Sequence, residues 1–240
     1  MPTTGLAKRI TRLNRTWTND PRIALTIPLF LVLVALSLAL PYALVELPGI
    51  SSLPEKEGAA VGILASEITC ALGGWGLLHL LGYRFSEASP LRSTRFWLVV
   101  ALGCLAVPLS DEIVGRIGDL VEGAGYAAGS QEEHADSILS SPLWHTFFSI
   151  NVLGPIFEEI TFRGLLLKYV FTRHAVIGVV ASTLLFAFIH SPATAVDWLN
   201  YVIPGAIFAV AYYATRRLEA SILIHALTNL YVYASVLVAG

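Results

Sequence analysis

The stretch GPIFEEITFRGLLL, from Gly154 to Leu167, carries three ionisable side chains within an apolar, helix-forming run. They are Glu158, Glu159 and Arg163. A charge at the centre of a membrane-spanning helix costs roughly 2.5–3.5 kcal/mol on insertion scales. Each of these groups therefore needs a partner that compensates its charge, or a function that explains why it is kept. The interpretation of the rest of the chain starts from this stretch.

The composition predicts a membrane protein. Of the 240 residues, 55% are hydrophobic and only 13% are charged, with a mean hydropathy of +0.69. Soluble domains have roughly 25% charged residues. The net charge of -2 gives no indication of nucleic-acid binding. Cys70 and Cys104 lie in apolar runs, so we expect two buried small side chains rather than a disulfide or a metal site.

The fold class predicted is all-α, a polytopic transmembrane helical bundle of about seven to eight spans, since about 20 apolar residues cross a membrane. The first apolar run is too long for the core of a secretory signal, so we interpret it as a retained span. The seven runs are approximately Ile23–Leu44, Ala59–Leu81, Phe96–Leu109, His145–Val170, Ala175–His190, Trp198–Thr215 and Ala220–Val238.

Basic residues in the loops predict the orientation. Alternate loops carry twelve of them on one side and two on the other, Lys56 and Arg116. Because cytoplasmic loops are enriched in Lys and Arg, we expect a cytoplasmic N-terminus and an external, solvated, acidic loop from Ser110 to Trp144. The twelve are Lys8, Arg9, Arg12, Arg15, Arg22, Arg84, Arg92, Arg95, Lys168, Arg173, Arg216 and Arg217.

Helix geometry separates the two adjacent glutamates. Glu159 and Arg163 are four residues apart, so they share a face and we expect them to pair. Glu158 is offset from Glu159 by about 100° around the helix and has no cation on its own face. It must therefore face a cavity, water or groups from other helices.

Two further predicted spans supply polar partners. One ends in FAFIHSP with His190, and the last contains HALTN with His225 and Asn229. A carboxylate beside an imidazole can deprotonate water, and a second imidazole with an amide can stabilise an oxyanion. These are the parts of a hydrolase that attacks a carbonyl group with water. The nucleophile elbow and the zinc-binding H-E-x-x-H motif are both absent from the sequence.

EEITFRG, FAFIH and HALTN, in this order, resemble the three motifs of the CPBP family, E-E-x-x-x-R, F-x-x-x-H and H-x-x-x-N. This family contains type II CAAX prenyl endopeptidases and bacteriocin-processing and immunity membrane proteins. The resemblance covers roughly residues 146–239 and implies a glutamate-type intramembrane endopeptidase that needs no metal. It implies that Glu158 and His190 activate water, that His225 and Asn229 stabilise the oxyanion, and that Glu159 and Arg163 support the site.

Other interpretations remain open at this level. Glu158, His190 and His225 could bind zinc in a metal-dependent version of the peptidase. A non-enzymatic immunity or scaffold protein could keep the same fold, although it would not need an unpaired intramembrane glutamate. A proton-coupled transporter could use these groups as a relay. Many transporters have a pair of Gly/Pro-interrupted helices in repeated halves, and this sequence has no such pair. The transporter interpretation is therefore less favoured.

We therefore predict three regions. Residues 1–22 are a basic cytoplasmic segment, residues 23–144 are N-terminal transmembrane helices with an acidic external loop, and residues 145–240 are the catalytic helical core. We expect no cofactor, although zinc is an alternative. The expected partners are membrane lipids and a peptide or protein substrate, which can itself be membrane-anchored, and not nucleic acid. The expected location is the bacterial inner membrane.

Overall fold

The computed structural model describes residues 26–83, 93–171 and 174–239, and all regular structure in them is helical. The basic segment 1–22 and the basic residues Arg84, Arg92 and Arg173 lie outside the described residues. The first helices are α1 (Thr26–Val45), α2 (Pro48–Ser51), α3 (Glu55–Leu80), α4 (Thr94–Val121) and α5 (Tyr126–Leu139). They are followed by α6 (Leu143–Phe148), π1 (Ser149–Leu153), α7 (Gly154–Glu159), π2 (Ile160–Val170), α8 (Ala175–Ile189), α9 (Ala195–Thr215) and α10 (Leu218–Ala239).

Among the described residues, five helices are long and apolar enough to cross a membrane: α1, α3, α4, α9 and α10. The two other predicted spans differ from simple spanning helices. One corresponds to α8, an apolar helix of only 15 residues. The other is the continuous run α6–π1–α7–π2, in which α-helical and π-helical turns alternate. The predicted all-α, polytopic bundle is confirmed.

The prediction of a loop from Ser110 onwards is wrong, because α4 continues to Val121 and α5 follows it. The prediction equates the end of the apolar run with the end of the helix. However, charged side chains are compatible with a helix, and Arg116 pairs with Glu112 one turn away at 2.8 Å. The helix stops where Gly123 and Gly125 adopt positive φ angles of 115° and 101°, which glycine tolerates.

Side-chain caps define where two of the long helices begin. Ser93 accepts a hydrogen bond from the Phe96 backbone N–H at the start of α4. Thr194 and Asp197 form a capping box at the start of α9, in which each side chain accepts a bond from the other's backbone N–H. Such caps satisfy backbone donors that the first helical turn leaves without partners. The second cap fixes the short turn that follows His190.

Small residues bring the helices together. A Cβ atom at Gly74 of α3 would lie 2.7 Å from Ile160 of π2, and one at Gly103 of α4 would lie 2.5 Å from Ile224 of α10. Close approach at glycine is typical of helix packing in membranes, where apolar lipid provides no hydrophobic driving force. The run containing both glutamates is therefore held against α3, and α10 against α4.

The distribution of polarity is that of a bundle in lipid. Leucines on the outer faces of the long helices are exposed, with Leu105 of α4 at 71%. The interior instead buries Glu159 and Arg163, both 0% exposed. Intramembrane ionisable residues almost always face the interior of a bundle, where partners can satisfy them.

Candidate functional site

Two π-helical segments flank the six residues of α7. In π1, the Gly154 N–H donates to the Ser149 carbonyl, a bond across five residues instead of four. π turns are rare and occur frequently at functional sites. The sequence did not predict them, because an apolar run gives the same hydropathy whether it winds as an α-helix or a π-helix. They set the direction of Glu158 and Glu159.

Arg163 and Glu159 form a fully buried ion pair. Arg163 Nη1 lies 2.8 Å from Glu159 Oε1, and Nη2 donates to the Gly205 carbonyl of α9 at 2.7 Å. The guanidinium carbon also lies 4.8 Å from the ring centroid of Phe186 and 5.5 Å from that of Phe208. Charge-assisted hydrogen bonds and ring faces compensate the arginine for its lost hydration.

His225 of α10 lies between the two glutamates. Its Nδ1 is 3.2 Å from Glu159 Oε1, and its Nε2 is 3.9 Å from Glu158 Oε2. The imidazole stacks on the Phe208 ring, with centroids 4.5 Å apart and an interplanar angle of 18°. Since a carboxylate oxygen accepts, Nδ1 donates to Glu159, and Nε2 is the nitrogen directed towards Glu158. Glu158 remains partly exposed, at 19% for its side chain.

His190 follows the last residue of α8 and is oriented by two contacts. Its Nδ1 lies 2.8 Å from the Phe186 carbonyl, and its ring stacks on Tyr201 with centroids 4.4 Å apart. A carbonyl only accepts hydrogen bonds, so Nδ1 carries a proton, and in the neutral form of the ring the lone pair lies at Nε2. Among the described residues, no hydrogen bond or ion pair joins His190 to Glu158.

The Phe186 ring connects the two histidines. Its centroid lies 4.8 Å from that of His190 and 5.7 Å from that of His225. The predicted orientation of the spans puts these histidines towards opposite membrane faces, because His190 follows the end of α8 and His225 lies near the start of α10. The structure brings both into contact with one aromatic side chain.

Asn229 lies one turn after His225 on α10. Its Nδ2 donates to the Ile150 carbonyl of π1 at 2.8 Å. A side-chain amide has two N–H donors, so this bond holds the amide in place and uses one of them. The predicted oxyanion donor is thus anchored to the same composite helix that carries the two glutamates.

The prediction from sequence missed Glu67, Ser149 and Tyr201. Glu67 of α3 accepts a hydrogen bond from the Ser149 hydroxyl, which lies in π1. The signal was present, because an ionisable residue within the predicted span Ala59–Leu81 is a functional candidate by default. Tyr201 and Ser149 are ordinary residues in apolar helices and carry no comparable signal.

The positions of possible metal ligands bear on the zinc alternative. Within residues 26–83, 93–171 and 174–239, no group of three or more His, Cys, Asp or Glu side chains has an arrangement suited to holding a metal ion. Nδ1 of His225 and Nδ1 of His190 are both occupied by protein acceptors. Such hydrogen bonds at Nδ1 are also usual for histidines that bind a metal through Nε2, so independence of metal stays a prediction.

The fold and site define an integral membrane protein, a polytopic helical bundle that buries ionisable groups contributed by three regions of the chain. Residues 140–231 match the family model described as Type II CAAX prenyl endopeptidase Rce1-like. This segment is similar to the Rce1-like family, and the resemblance given by the three motifs is confirmed. All six predicted site residues lie inside the matched segment, whereas Glu67 lies outside it.

A curated relative gives a second comparison. UPF0177 protein YbdI of Lactococcus lactis subsp. lactis (strain IL1403) is 32% identical over 97 residues. The match covers 40% of this chain and 51% of that protein, so the chain spans about half the length of the relative. No solved structure matches the chain with significance.

Proposed function

We propose that this protein is an intramembrane endopeptidase that hydrolyses a peptide bond with a water activated by glutamate and histidine, without a metal. The observation that carries the proposal is His225, which contacts both Glu158 and Glu159 inside a bundle whose outer surface is apolar. The match of residues 140–231 to an endopeptidase family model supports it.

The first step is the activation of water. Glu158 accepts one proton of the water, and Nε2 of His190, the lone-pair nitrogen, accepts a hydrogen bond from the other. The contact of Nδ1 with the Phe186 carbonyl and the stack on Tyr201 hold the His190 ring for this role. In this structure the two side chains are not in contact, and catalytic contacts commonly tighten when substrate binds.

In the second step the water oxygen bonds to the carbonyl carbon, and the carbonyl oxygen becomes an oxyanion. His225 Nε2–H, in the doubly protonated ring, and the second N–H of Asn229 donate hydrogen bonds to this oxygen. Arg163 and Glu159 support His225 by fixing the acceptor of its Nδ1. The carbon–nitrogen bond then breaks, and the leaving amine takes the proton held by Glu158.

The proposed substrate is a peptide or protein at the membrane, since the site lies in a bundle with a lipid-facing exterior. A membrane anchor on the substrate would bring its backbone to the depth of the site. The proposed location is the bacterial inner membrane with a cytoplasmic N-terminus, as the basic loops indicate.

The test is cleavage by the purified protein in detergent, with candidate membrane-anchored peptides and products identified by mass spectrometry. We expect cleavage by the unmodified chain and none by Glu158→Gln, because Gln retains the shape of Glu but cannot accept a proton. Cleavage by Glu158→Gln at the original rate would refute the proposed mechanism. A folded chain that binds but never cleaves these peptides would favour the immunity or scaffold alternative.

A further inference from the structure

Glu67 reaches the site from α3, a helix that the matched family segment does not include. Its Oε1 accepts a hydrogen bond from the Ser149 hydroxyl. Its Oε2 is buried and has no hydrogen-bond partner within the described residues. A carboxyl group in an apolar span is costly, and only one specific bond compensates this one. The role of Glu67 must therefore depend on what Ser149 does.

Ser149 is the first residue of π1, and its position is linked to that of Glu158. Its carbonyl accepts the Gly154 N–H that closes the π turn. A Cβ atom at Gly154 would lie 2.8 Å from the Ser149 oxygen and 3.9 Å from Glu158 Oε1. The Ser149 carbonyl and the Glu158 carboxylate thus border the same point. A displacement of Ser149 would be transmitted to α7 and to the candidate base.

Ile150, the next residue of π1, is linked to Asn229, the candidate oxyanion donor. The Ile150 carbonyl accepts the hydrogen bond from Asn229 Nδ2. The π1 turn is therefore held on one side by Glu67 of α3 and on the other by Asn229 of α10. Buried side chains whose orientation is set by packed neighbours are the usual means of holding catalytic groups within a fraction of an ångström.

We propose that Glu67 is a positioning residue that holds both Glu158 and Asn229 in place, through its hydrogen bond to Ser149 and the π1 turn. The inference rests on the proposed function and deepens it. Glu67 acts as a hydrogen-bond acceptor for the Ser149 hydroxyl, and its charge is not required. A neutral side chain with an oxygen in the same place performs the same role.

Four variants test this assignment by separating the hydrogen bond from the charge. Glu67→Gln keeps an acceptor oxygen and removes the charge, Glu67→Leu removes both, and Ser149→Ala removes the donor. Ser66→Ala is the control, because Ser66 is a buried serine on the same helix and its hydroxyl donates to the Ile63 carbonyl of that helix.

We expect Glu67→Leu and Ser149→Ala each to lower kcat about tenfold with KM unchanged, the size of effect that one lost hydrogen bond produces. The double variant, which combines Glu67→Leu with Ser149→Ala, should lose no more of its kcat than either single variant, because both substitutions remove the same bond. Glu67→Gln and Ser66→Ala should stay within about threefold of the unmodified chain. Equal losses for Glu67→Gln and Glu67→Leu would overturn the assignment and make the charge or proton of Glu67 the active feature.

A melting experiment tests the same link without any substrate. Glu67→Leu and Asn229→Ala are compared singly and combined, by thermal unfolding in detergent. If both side chains hold the π1 turn, the combined loss of Tm should be clearly smaller than the sum of the single losses. Additive losses would overturn the inference. If the unmodified chain cleaves no peptide, the proposed function fails, but the melting result still decides whether Glu67 and Asn229 hold one turn.

Discussion

His225 Nδ1 lies 3.2 Å from Glu159 Oε1, the same carboxylate oxygen that Arg163 Nη1 contacts at 2.8 Å. One oxygen atom thus joins the buried ion pair to the histidine that faces Glu158. The ion pair does more than neutralise two charges, because it holds the acceptor that orients the His225 ring. The adjacent glutamates therefore differ in environment. Glu159 is fully buried and accepts hydrogen bonds from Arg163 and His225, whereas the Glu158 side chain is 19% exposed and its Oε2 lies 3.9 Å from His225 Nε2.

This difference predicts opposite phenotypes for the two Glu→Gln variants. Glu159→Gln leaves the Arg163 charge buried without its counter-charge, and breaking such a pair typically costs about 3–5 kcal/mol. We expect its Tm to fall by at least about 5 °C, whereas Glu158→Gln should melt within a few degrees of the unmodified chain and be inactive. Thermal unfolding and peptide cleavage on the same preparations measure both. A stable, inactive Glu159→Gln beside an active Glu158→Gln would reverse the two roles.

Removal of the Asn229 amide should impair the reaction more than the fold. Losing one oxyanion donor lowers kcat by about 10²–10³-fold in well-studied hydrolases, so we expect a loss of this size in Asn229→Ala with little change in KM. Ser235→Ala is the matched control, since Ser235 is exposed on the same helix and its hydroxyl donates to the Val232 carbonyl of that helix. A loss below about threefold in Asn229→Ala would remove Asn229 from the oxyanion site.

The stack of Tyr201 on His190 can be tested by keeping or removing the ring. An aromatic pair contributes about 0.5–1.5 kcal/mol beyond its buried area, which corresponds to roughly two- to tenfold in rate. We expect Tyr201→Phe to retain nearly full kcat and Tyr201→Leu to lose up to about tenfold. Steady-state kinetics of both variants decide the matter. Equal rates for Phe and Leu at this position would show that stacking does not orient His190.

Chelation distinguishes water activation by glutamate from metal catalysis. In the proposed mechanism we expect full activity after exhaustive chelation, and no stoichiometric zinc by elemental analysis. A metal-dependent enzyme would instead lose activity and regain it on addition of zinc. That recovery would make Glu158 a ligand instead of a base.

The orientation can be tested by labelling single cysteines in a background that lacks Cys70 and Cys104. The basic-residue bias places the 216–217 turn in the cytoplasm and α5 outside. On intact cells, an impermeant thiol reagent should label a cysteine at Glu133, an exposed residue of α5, and should not label one at Arg217. Labelling of the Arg217 position from outside, with no labelling at Glu133, would invert the topology.

The sequence predicted the helical bundle better than it predicted how the candidate site residues are arranged. Long apolar runs indicate membrane-spanning helices directly, so the five spans found among the described residues were recognisable from composition. The three motifs brought Glu158, His190 and Asn229 into one hypothesis. The length of α4 was missed because hydropathy marks where a membrane ends, and a helix can continue beyond that point.

Some features could not have been predicted from local patterns. The hydrogen bond from Ser149 to Glu67 joins residues 82 positions apart, and only the packing of α3 against π1 creates it. The stack of Tyr201 on His190 likewise depends on the turn fixed by the Thr194–Asp197 capping box. Such contacts come from the way helices meet, which the periodicity of a single helix does not encode.

The π1 turn bears on how the run from Leu143 to Val170 responds to a change in its length. A π turn holds one residue more than an α turn, so it is equivalent to a single-residue insertion in an α-helix. Deleting one residue between Ser149 and Leu153 would let the turn relax to α geometry, and the segments before and after it would keep nearly the same relative orientation. A deletion within a regular α-helix would instead rotate the two segments by about 100° relative to each other. The run can thus lose one residue at π1 without turning Glu158 away from His225.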